Sequence, residues 1–350
     1  MITAQTLAQR QAYPLDLKIG LSENRIRHWY AAHAGNVYVA FSGGKDSTVL
    51  LDIVRRLYPE VPAVYVDTGL EYPEIKAFVR TIDNVTWLRP KMTFRKVIEK
   101  HGYPMISKVV ARAVARIRSP GSSQRSKHKA MYGDERGSYG KLPVKWRPLL
   151  AAPFAMSDRC CEIMKIRPIL TYHKTEQRAG YVGTMASDSN SRQKQYLTPG
   201  CYLDHLRVPR CTPIAFWTDS DIWAYLKERA VPYCSIYDTG VRHTGCMFCG
   251  FGLHLEAEPN RFQLMAETHP DLHRYCMDKL GLRDVLAWLG IPSEPGEAPA
   301  CGPCRRGDPH AFGEDGPASG GLGPGLFDDH LAGDAAVEPV RAAGPADHGI

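Results

Sequence analysis

Asn36-Val-Tyr-Val-Ala-Phe41, then Ser42-Gly43-Gly44-Lys45-Asp46-Ser47, then Thr48-Val-Leu-Leu-Asp-Ile-Val-Arg-Arg-Leu57, is the stretch on which the reading of this chain turns. The first part is a short apolar run of β-forming residues, and the last carries apolar residues at helical spacing. The order is therefore strand, loop, helix. It recurs at once: the apolar run from Val61 to Val66 ends in Asp67-Thr68-Gly69, a helix-like segment from Tyr72 to Thr81 begins at Pro73, and Val85-Thr-Trp-Leu88 reads as a third strand. Strands alternating with helices predict an α/β fold, a parallel twisted sheet with helices on both faces and ligands bound at the carboxyl ends of its strands.

A strand that stops at Ser-Gly-Gly-Lys-Asp-Ser and opens a helix gathers backbone N–H groups and a helix N-terminus at one point, where they can surround phosphate oxygens. Gly43 and Gly44 permit close backbone approach, Lys45 adds a point charge, Ser42 and Ser47 offer hydroxyls, and Asp46 is placed to hold Mg2+ or orient the loop. The spacing differs from the G-x-x-x-x-G-K-[ST] loop of kinases and GTPases. A Gly-Gly turn also serves as a plain strand-to-helix connection, but that accounts for less of the hexapeptide.

At 350 residues the chain exceeds the usual size of one domain. Hydrophobic content of 44% and charged content of 23% argue against a fibrous or wholly disordered protein. We expect a helical lead-in over 1–35, a nucleotide-binding domain over 36–292 with a basic insertion at 108–147, and a disordered tail over 293–350, where Gly, Pro, Ala and Asp dominate. Gly325-Leu-Phe-Asp328 in that tail has the look of a short docking motif that chance alone could produce. Further helices are expected over 219–229 and 260–268, a β-like run at Tyr181-Val-Gly-Thr184, and a mobile loop over 119–139, rich in Ser, Gly, Lys and Arg. Neither a signal-peptide core nor a run of about 18 apolar residues is found, so the expected location is cytoplasmic, with no membrane.

Net charge is +7, and residues 108–147 hold eleven Lys or Arg against Asp134 and Glu135. That balance suits a polyanion such as nucleic acid, or equally a solvated insertion. Ten cysteines in a cytoplasmic chain point to metal or redox chemistry rather than a disulfide framework. Asp158-Arg-Cys160-Cys161-Glu-Ile-Met-Lys165-Ile-Arg167-Pro168 and Cys246-Met-Phe-Cys249-Gly250 can bring four thiolates to one centre. Adjacent cysteines reach different atoms more readily than one, which suits a multi-iron cluster better than zinc, though zinc stays open. Cys201, Cys211, Cys234 and Cys276 read as small buried residues, Cys301-Gly-Pro-Cys304 as a redox pair or further ligands, and His243 and His254 as donors behind the ligands.

The Ser42 to Ser47 loop resembles the PP-loop ATP pyrophosphatase superfamily, whose members cut ATP between the α and β phosphates. Val66-Asp67-Thr68-Gly69-Leu70-Glu71-Tyr72-Pro73-Glu74 resembles the second-strand motif of the phosphoadenosine phosphosulfate (PAPS) reductase family, which helps shape that family's nucleotide pocket. Trp217-Thr-Asp-Ser-Asp-Ile-Trp-Ala-Tyr225, Val231-Pro232-Tyr233 and Tyr237-Asp238-Thr239-Gly240 resemble its later segments, and the likeness spans about residues 36–255. The resemblance implies an adenine nucleotide α-hydrolase-like, Rossmann-type fold, with Asp67, Thr68, Gly69, Gly183 and Arg192 added to the loop residues as nucleotide contacts. The cysteine pattern is similar to that of adenylyl sulfate (APS) reductases and DNA-phosphorothioation ATP pyrophosphatases, which implies a 4Fe-4S cluster on Cys160, Cys161, Cys246 and Cys249.

Three departures from the reductases bear on function. Their phosphate loop is altered where this one is intact; their Glu-Cys-Gly-Leu-His nucleophile segment does not occur in these residues; and Met185, within Gly183-Thr-Met-Ala-Ser187-Asp188-Ser189-Asn-Ser-Arg192, stands where an arginine is common. The expected activity is therefore cleavage of ATP to AMP and pyrophosphate, with Lys45, Asp46 and Ser47 as catalytic residues. It would adenylate a substrate for cluster-assisted sulfur transfer to nucleic acid, with a sulfur-donor protein such as a cysteine desulfurase as partner and a homo-oligomer as one assembly. The rivals are an APS or PAPS reductase and a nucleotide-sensing or nucleic-acid-binding subunit of a defence complex.

Overall fold

The computed structural model describes residues 2–134, 141–242 and 244–298. Eight strands occur among them: β1 (Val37–Ala40), β2 (Ala63–Val66), β3 (Val85–Leu88), β4 (Met105–Ile106), β5 (Ala179–Val182), β6 (Tyr202–Leu203), β7 (Arg210–Cys211) and β8 (Gly250–Phe251). Six form one sheet in the order β3-β2-β1-β5-β7-β6, parallel throughout except for β6 against β7. From β1 the chain winds outward through β2 to β3, then returns to the other side of β1 as β5. The order thus reverses between β1 and β5, where the loops at the carboxyl ends diverge and leave a crevice for a ligand.

All four residues of β1, β2 and β5 are buried, as expected of central parallel strands covered on both faces. On one face Val37, Val39, Phe41, Tyr65 and Tyr181 pack against Ile26 and Trp29 of the helix Leu15–Ala32, Leu50 and Ile53 of Lys45–Leu57, and Ile222 and Tyr225 of Asp219–Glu228. On the other, Tyr38, Ala40, Val64, Val66 and Val182 meet Ile169 and Tyr172 of Arg167–Glu176. Each such side chain contributes about 1.5–3 kcal/mol by leaving water. Two polar ties position the helices on the first face. Lys18 Nζ meets Asp221 Oδ2 at 2.6 Å, and the Tyr225 hydroxyl donates to Asp52 Oδ2 at 2.6 Å.

The helices expected at 72–81, 219–229 and 260–268 occur as Pro73–Arg80, Asp219–Glu228 and Arg261–Thr268. The expected mobile loop over 119–139 needs correction. Residues Gln124–Tyr132 form a helix, capped by the Ser123 hydroxyl, which accepts the Ser126 N–H at 3.2 Å, and anchored by buried Ala130, whose carbonyl accepts the Leu142 N–H at 3.0 Å. Local polarity hid a helix that a serine cap, buried Ala130 and half-buried Met131 help to hold. The preceding basic helix Lys108–Arg118 buries Val110, Ala111, Ala113 and Val114, so this part of the 108–147 stretch is part of the core packing. Most of the expected tail lies outside the described residues, as do Cys301, Cys304 and Gly325 to Asp328. Residues up to 298 are described, and Ser293 within them is buried.

Candidate nucleotide site and cysteine centre

Gly43 adopts φ +73°, and a Cβ there would stand 2.8 Å from Val79 and 2.9 Å from Ile75, so both conformation and space require glycine. Gly44 is the residue before the helix Lys45–Leu57 and has no side chain of its own to cap that helix. Ser47 Oγ closes the loop internally, donating to the Gly44 carbonyl at 2.9 Å and accepting the Ser42 N–H at 3.1 Å. A Cβ on Gly44 would lie 2.7 Å from Thr244 Oγ1, because the segment carrying Tyr237 and Thr244 sits directly on the loop. Gly183, just after β5, backs onto the same turn: a Cβ there would meet the Asp46 carbonyl at 3.0 Å. The two loops of the switch point, from β1 and β5, therefore touch.

Lys45 is 2% exposed, and its Nζ stands 2.9 Å from Asp46 Oδ1 and 2.6 Å from Asp219 Oδ1. Burial works against its charge, but the two carboxylates outweigh that and hold its pKa above the ordinary lysine value. Asp46 is pushed up by burial, with Lys45 pulling it down and Asp188 and Asp219 adding to the rise. The result is a fixed cation with an acidic surround at a helix N-terminus. Such a place suits a phosphate ligand accompanied by a divalent cation.

From β2 the chain enters Asp67-Thr68-Gly69, where Asp67 pairs with Lys76 at 2.8 Å and Gly69 adopts φ +76°. The Glu71 carboxylate accepts both the Thr68 N–H at 3.1 Å and the Thr68 hydroxyl at 2.6 Å, which fixes this turn. The Leu70 carbonyl then accepts the Met247 N–H at 2.8 Å, tying the Cys246 to Cys249 turn to the nucleotide motif. A cavity of about 20 Å³ lies where Ser42, Glu71, Lys165 and Thr244 meet. Ser42 of the phosphate loop and Lys165 of the first cysteine segment thus line one small void.

Cys160 and Cys161 close the short helix Arg159–Cys161, which widens into a π-helical turn, Glu162–Ile166, before Arg167–Glu176. Such turns re-aim side chains and recur at functional sites. Asp158, just before them, is anchored by Arg112. The second pair is held by the parallel pairing of β8 with β4 and by Arg261, which donates to the Cys249 carbonyl at 3.0 Å and pairs with Glu256. Burial pushes the Cys246 thiol up to about 12, with Lys165 opposing; burial also raises Cys160 and Cys249. Cys160 is raised further by Cys161, Cys246 and Cys249, so the four thiols lie within electrostatic reach of one another. Burial works against the charge of Lys165, yet Cys246, Glu71 and Cys161 hold its pKa above the usual lysine range.

Among the described residues, no three His, Cys, Asp or Glu side chains converge closely enough to hold a single metal ion. A 4Fe-4S cluster binds each thiolate at a different iron and spreads its ligands wider than one ion does. Four mutually influencing thiols beside a lysine ammonium fit such a group.

The residues expected to form the site fall into three groups. Ser42 to Ser47 and Gly183 come together; Asp67, Thr68 and Gly69 are joined to the cysteine turn through Leu70; Arg192 turns to Asp188, at 2.5 Å. Asp188 also accepts the Met185 N–H at 2.8 Å, and the Met185 side chain is buried. His254 stands edge-on to Trp146 with ring centroids 5.0 Å apart, and His243 lies outside the described residues. Cys201, Cys211, Cys234 and Cys276 are all buried, as expected. Tyr237, Thr244, Asp219, Glu71 and Lys165 were not picked out as site residues. Four lie within motifs quoted above and Thr244 lies two residues before Cys246, but only folding brings them together around the loop.

Residues 36–106 and 103–250 match the phosphoadenosine phosphosulfate reductase domain family, and the chain belongs to that family. Its relatives include the adenosine 5'-phosphosulfate reductase of Geobacillus kaustophilus, 25% identical over 243 residues, covering 69% of this chain and 84% of the relative. That of Anoxybacillus flavithermus is 23% identical over 278 residues, covering 78% and 99%. Solved structures with similarity include the phosphoadenylyl-sulfate reductase of Candida auris in a phosphate complex, at 15% identity and TM-score 0.40, covering 70% of this chain and 96% of that one. Another is the U34-tRNA thiolase NcsA of Methanococcus maripaludis with its 4Fe-4S cluster, at 15% identity and TM-score 0.34, covering 84% and 86%. No helix among the described residues is long and apolar enough to cross a membrane.

Proposed function

We propose that this chain binds ATP and cleaves it between the α and β phosphates, adenylating a substrate for sulfur transfer. The observation that carries this reading is Lys45, a buried and charged lysine at a helix N-terminus, flanked by Asp46 and Asp219. A departing pyrophosphate needs fixed positive charge and backbone donors where its charge develops. Lys45 and the start of the helix Lys45–Leu57 supply them, Ser42 and Ser47 orient the loop, and Asp46 would hold Mg2+, which neutralises charge on the leaving group. Asp67, Thr68, Gly69 and Gly183 border the rest of the nucleotide, with Arg192 acting through Asp188.

Cys160, Cys161, Cys246 and Cys249 would hold a 4Fe-4S cluster, which when bound supplies sulfur or redox chemistry next to the nucleotide. Lys165 balances the charge of the thiolates and Glu71 links their turn to Thr68. A nucleic-acid acceptor is supported by the charge of residues 108–147, although Arg112 and Arg118 there serve Asp158 and the Phe154 carbonyl. A cysteine desulfurase or similar protein would deliver the sulfur, in the cytoplasm.

The names of the relatives favour a second reading, reduction of APS or PAPS to sulfite. Anaerobically purified protein incubated with ATP, and in parallel with APS and PAPS, separates the two. The proposal expects pyrophosphate from ATP, abolished by Lys45→Ala. Sulfite from either sulfonucleotide without ATP turnover would establish the reductase instead.

A further inference from the structure

Over the outer strand β3, the second face of the sheet loses its helical cover and a groove of about 860 Å³ opens between β3 and the helix Arg167–Glu176. Leu88, Met92, Ile163 and Leu170 give it an apolar floor. Its rim carries six cations, Arg89, Lys91, Arg167, Lys174, Arg178 and Arg207, against the single acid Glu176. Arg89 reaches Asp67 at 3.6 Å, Arg167 pairs with Glu162, and Arg178 donates to the Val37 carbonyl. Lys91, Lys174 and Arg207 have no carboxylate within ion-pair distance among the described residues. Gathered like charges repel one another, and an anion in the groove would relieve that.

We infer that this groove binds one strand of nucleic acid, with phosphates on the cationic rim and sugars and bases over the apolar floor. The cations are strung out rather than focused. Arg178 immediately precedes β5, whereas Arg89 immediately follows β3, so the rim extends from the amino ends of the strands to their carboxyl ends. A line of cations matches a phosphate repeated at every nucleotide better than it matches one compact anion. The groove also leads to the site. Arg89 lines it and pairs with Asp67 of the nucleotide motif, and Ile163 lines it two residues from Cys161. In placing the acceptor strand there, the inference rests on the function proposed above.

The test is fluorescence anisotropy of fluorescein-labelled 12-nucleotide RNA and DNA with the full chain over a series of salt concentrations. It uses the triple variant Lys91→Glu/Lys174→Glu/Arg207→Glu and a matching triple Gln variant. Wild-type affinity should fall with salt by about 0.7 log units per contacted phosphate for each log unit of salt, and the Glu variant should lose at least about tenfold in affinity and about 2 units of slope. The Gln variant should fall between, with melting temperature unchanged in both. No binding by the wild type, or undiminished binding by a folded Glu variant, overturns the inference. So does a labelled polyglutamate peptide of equal length that binds as tightly as the oligonucleotides, which would assign the groove to an acidic protein. Absent ATP turnover with oligonucleotide binding intact would instead refute the proposed activity and leave the groove standing.

Discussion

The phenol oxygen of Tyr237 accepts the backbone N–H of Lys45 at 2.9 Å, across 192 positions of sequence. It also lies 3.0 Å from Thr244 Oγ1, and burial raises its pKa to about 12, so it remains a neutral phenol at physiological pH. The hydroxyl thus occupies the donor that a phosphate oxygen would take from this helix. Tyr237→Phe should tighten ATP or pyrophosphate binding about fivefold, the equivalent of one hydrogen bond of about 1 kcal/mol that the ligand no longer displaces. Titration calorimetry checks this; weaker binding would make the hydroxyl a contact of the ligand instead.

Asp46 is a carboxyl that burial makes costly to ionise. A folded-state pKa above the unfolded one contributes stability below the unfolded value and loses it as pH rises through the folded value. Asp46→Asn should therefore gain in urea midpoint relative to wild type as pH rises through the acidic range, since Lys45 keeps Asp219 as partner. The same variant should lose Mg2+-dependent turnover of ATP by about 10²-fold or more. A variant less stable than wild type at every pH would contradict this account of the site.

Lys165 joins the cysteine segment to Glu71 electrostatically, and both line the void below Ser42. Lys165→Met should destabilise the chain, and adding Glu71→Gln should recover part of the loss, with a coupling of about 0.5–3 kcal/mol in a double-mutant cycle. Additive losses would show that the two residues act separately.

Cys161→Ser and Cys249→Ser should each lower bound iron in anaerobically purified protein to a small fraction of the wild-type content. Cys234→Ser and Cys276→Ser, whose thiols are buried apart from the four, should retain it. Iron analysis together with the visible spectrum decides, and equal loss in all four variants would make the effect one of folding.

The parallel sheet was legible because β1 and β2 each end in a turn motif and are followed by apolar helical periodicity, with β3 a short apolar run after them. The short strands β4, β6, β7 and β8, two residues each, left no such trace. They exist because tertiary packing brings two backbones together, as where Gly250 lies against Met105 with room for no Cβ. In the site, Ser42 to Ser47 were legible because one local turn unites them. Asp219 and Tyr237 were not, because their meeting with Lys45 depends on how the helix Asp219–Glu228 and the segment after it close over the sheet. Arg192 was legible as a cation, but its engagement by Asp188 was not.

The central claim, cleavage between the α and β phosphates, is tested most directly by product analysis of ATP labelled at the α-phosphate, with wild type and Lys45→Ala side by side. Label in AMP or in an adenylated substrate, with equimolar pyrophosphate and neither in the variant, is the predicted result. Label in ADP, or ATP left intact while APS yields sulfite, would contradict it.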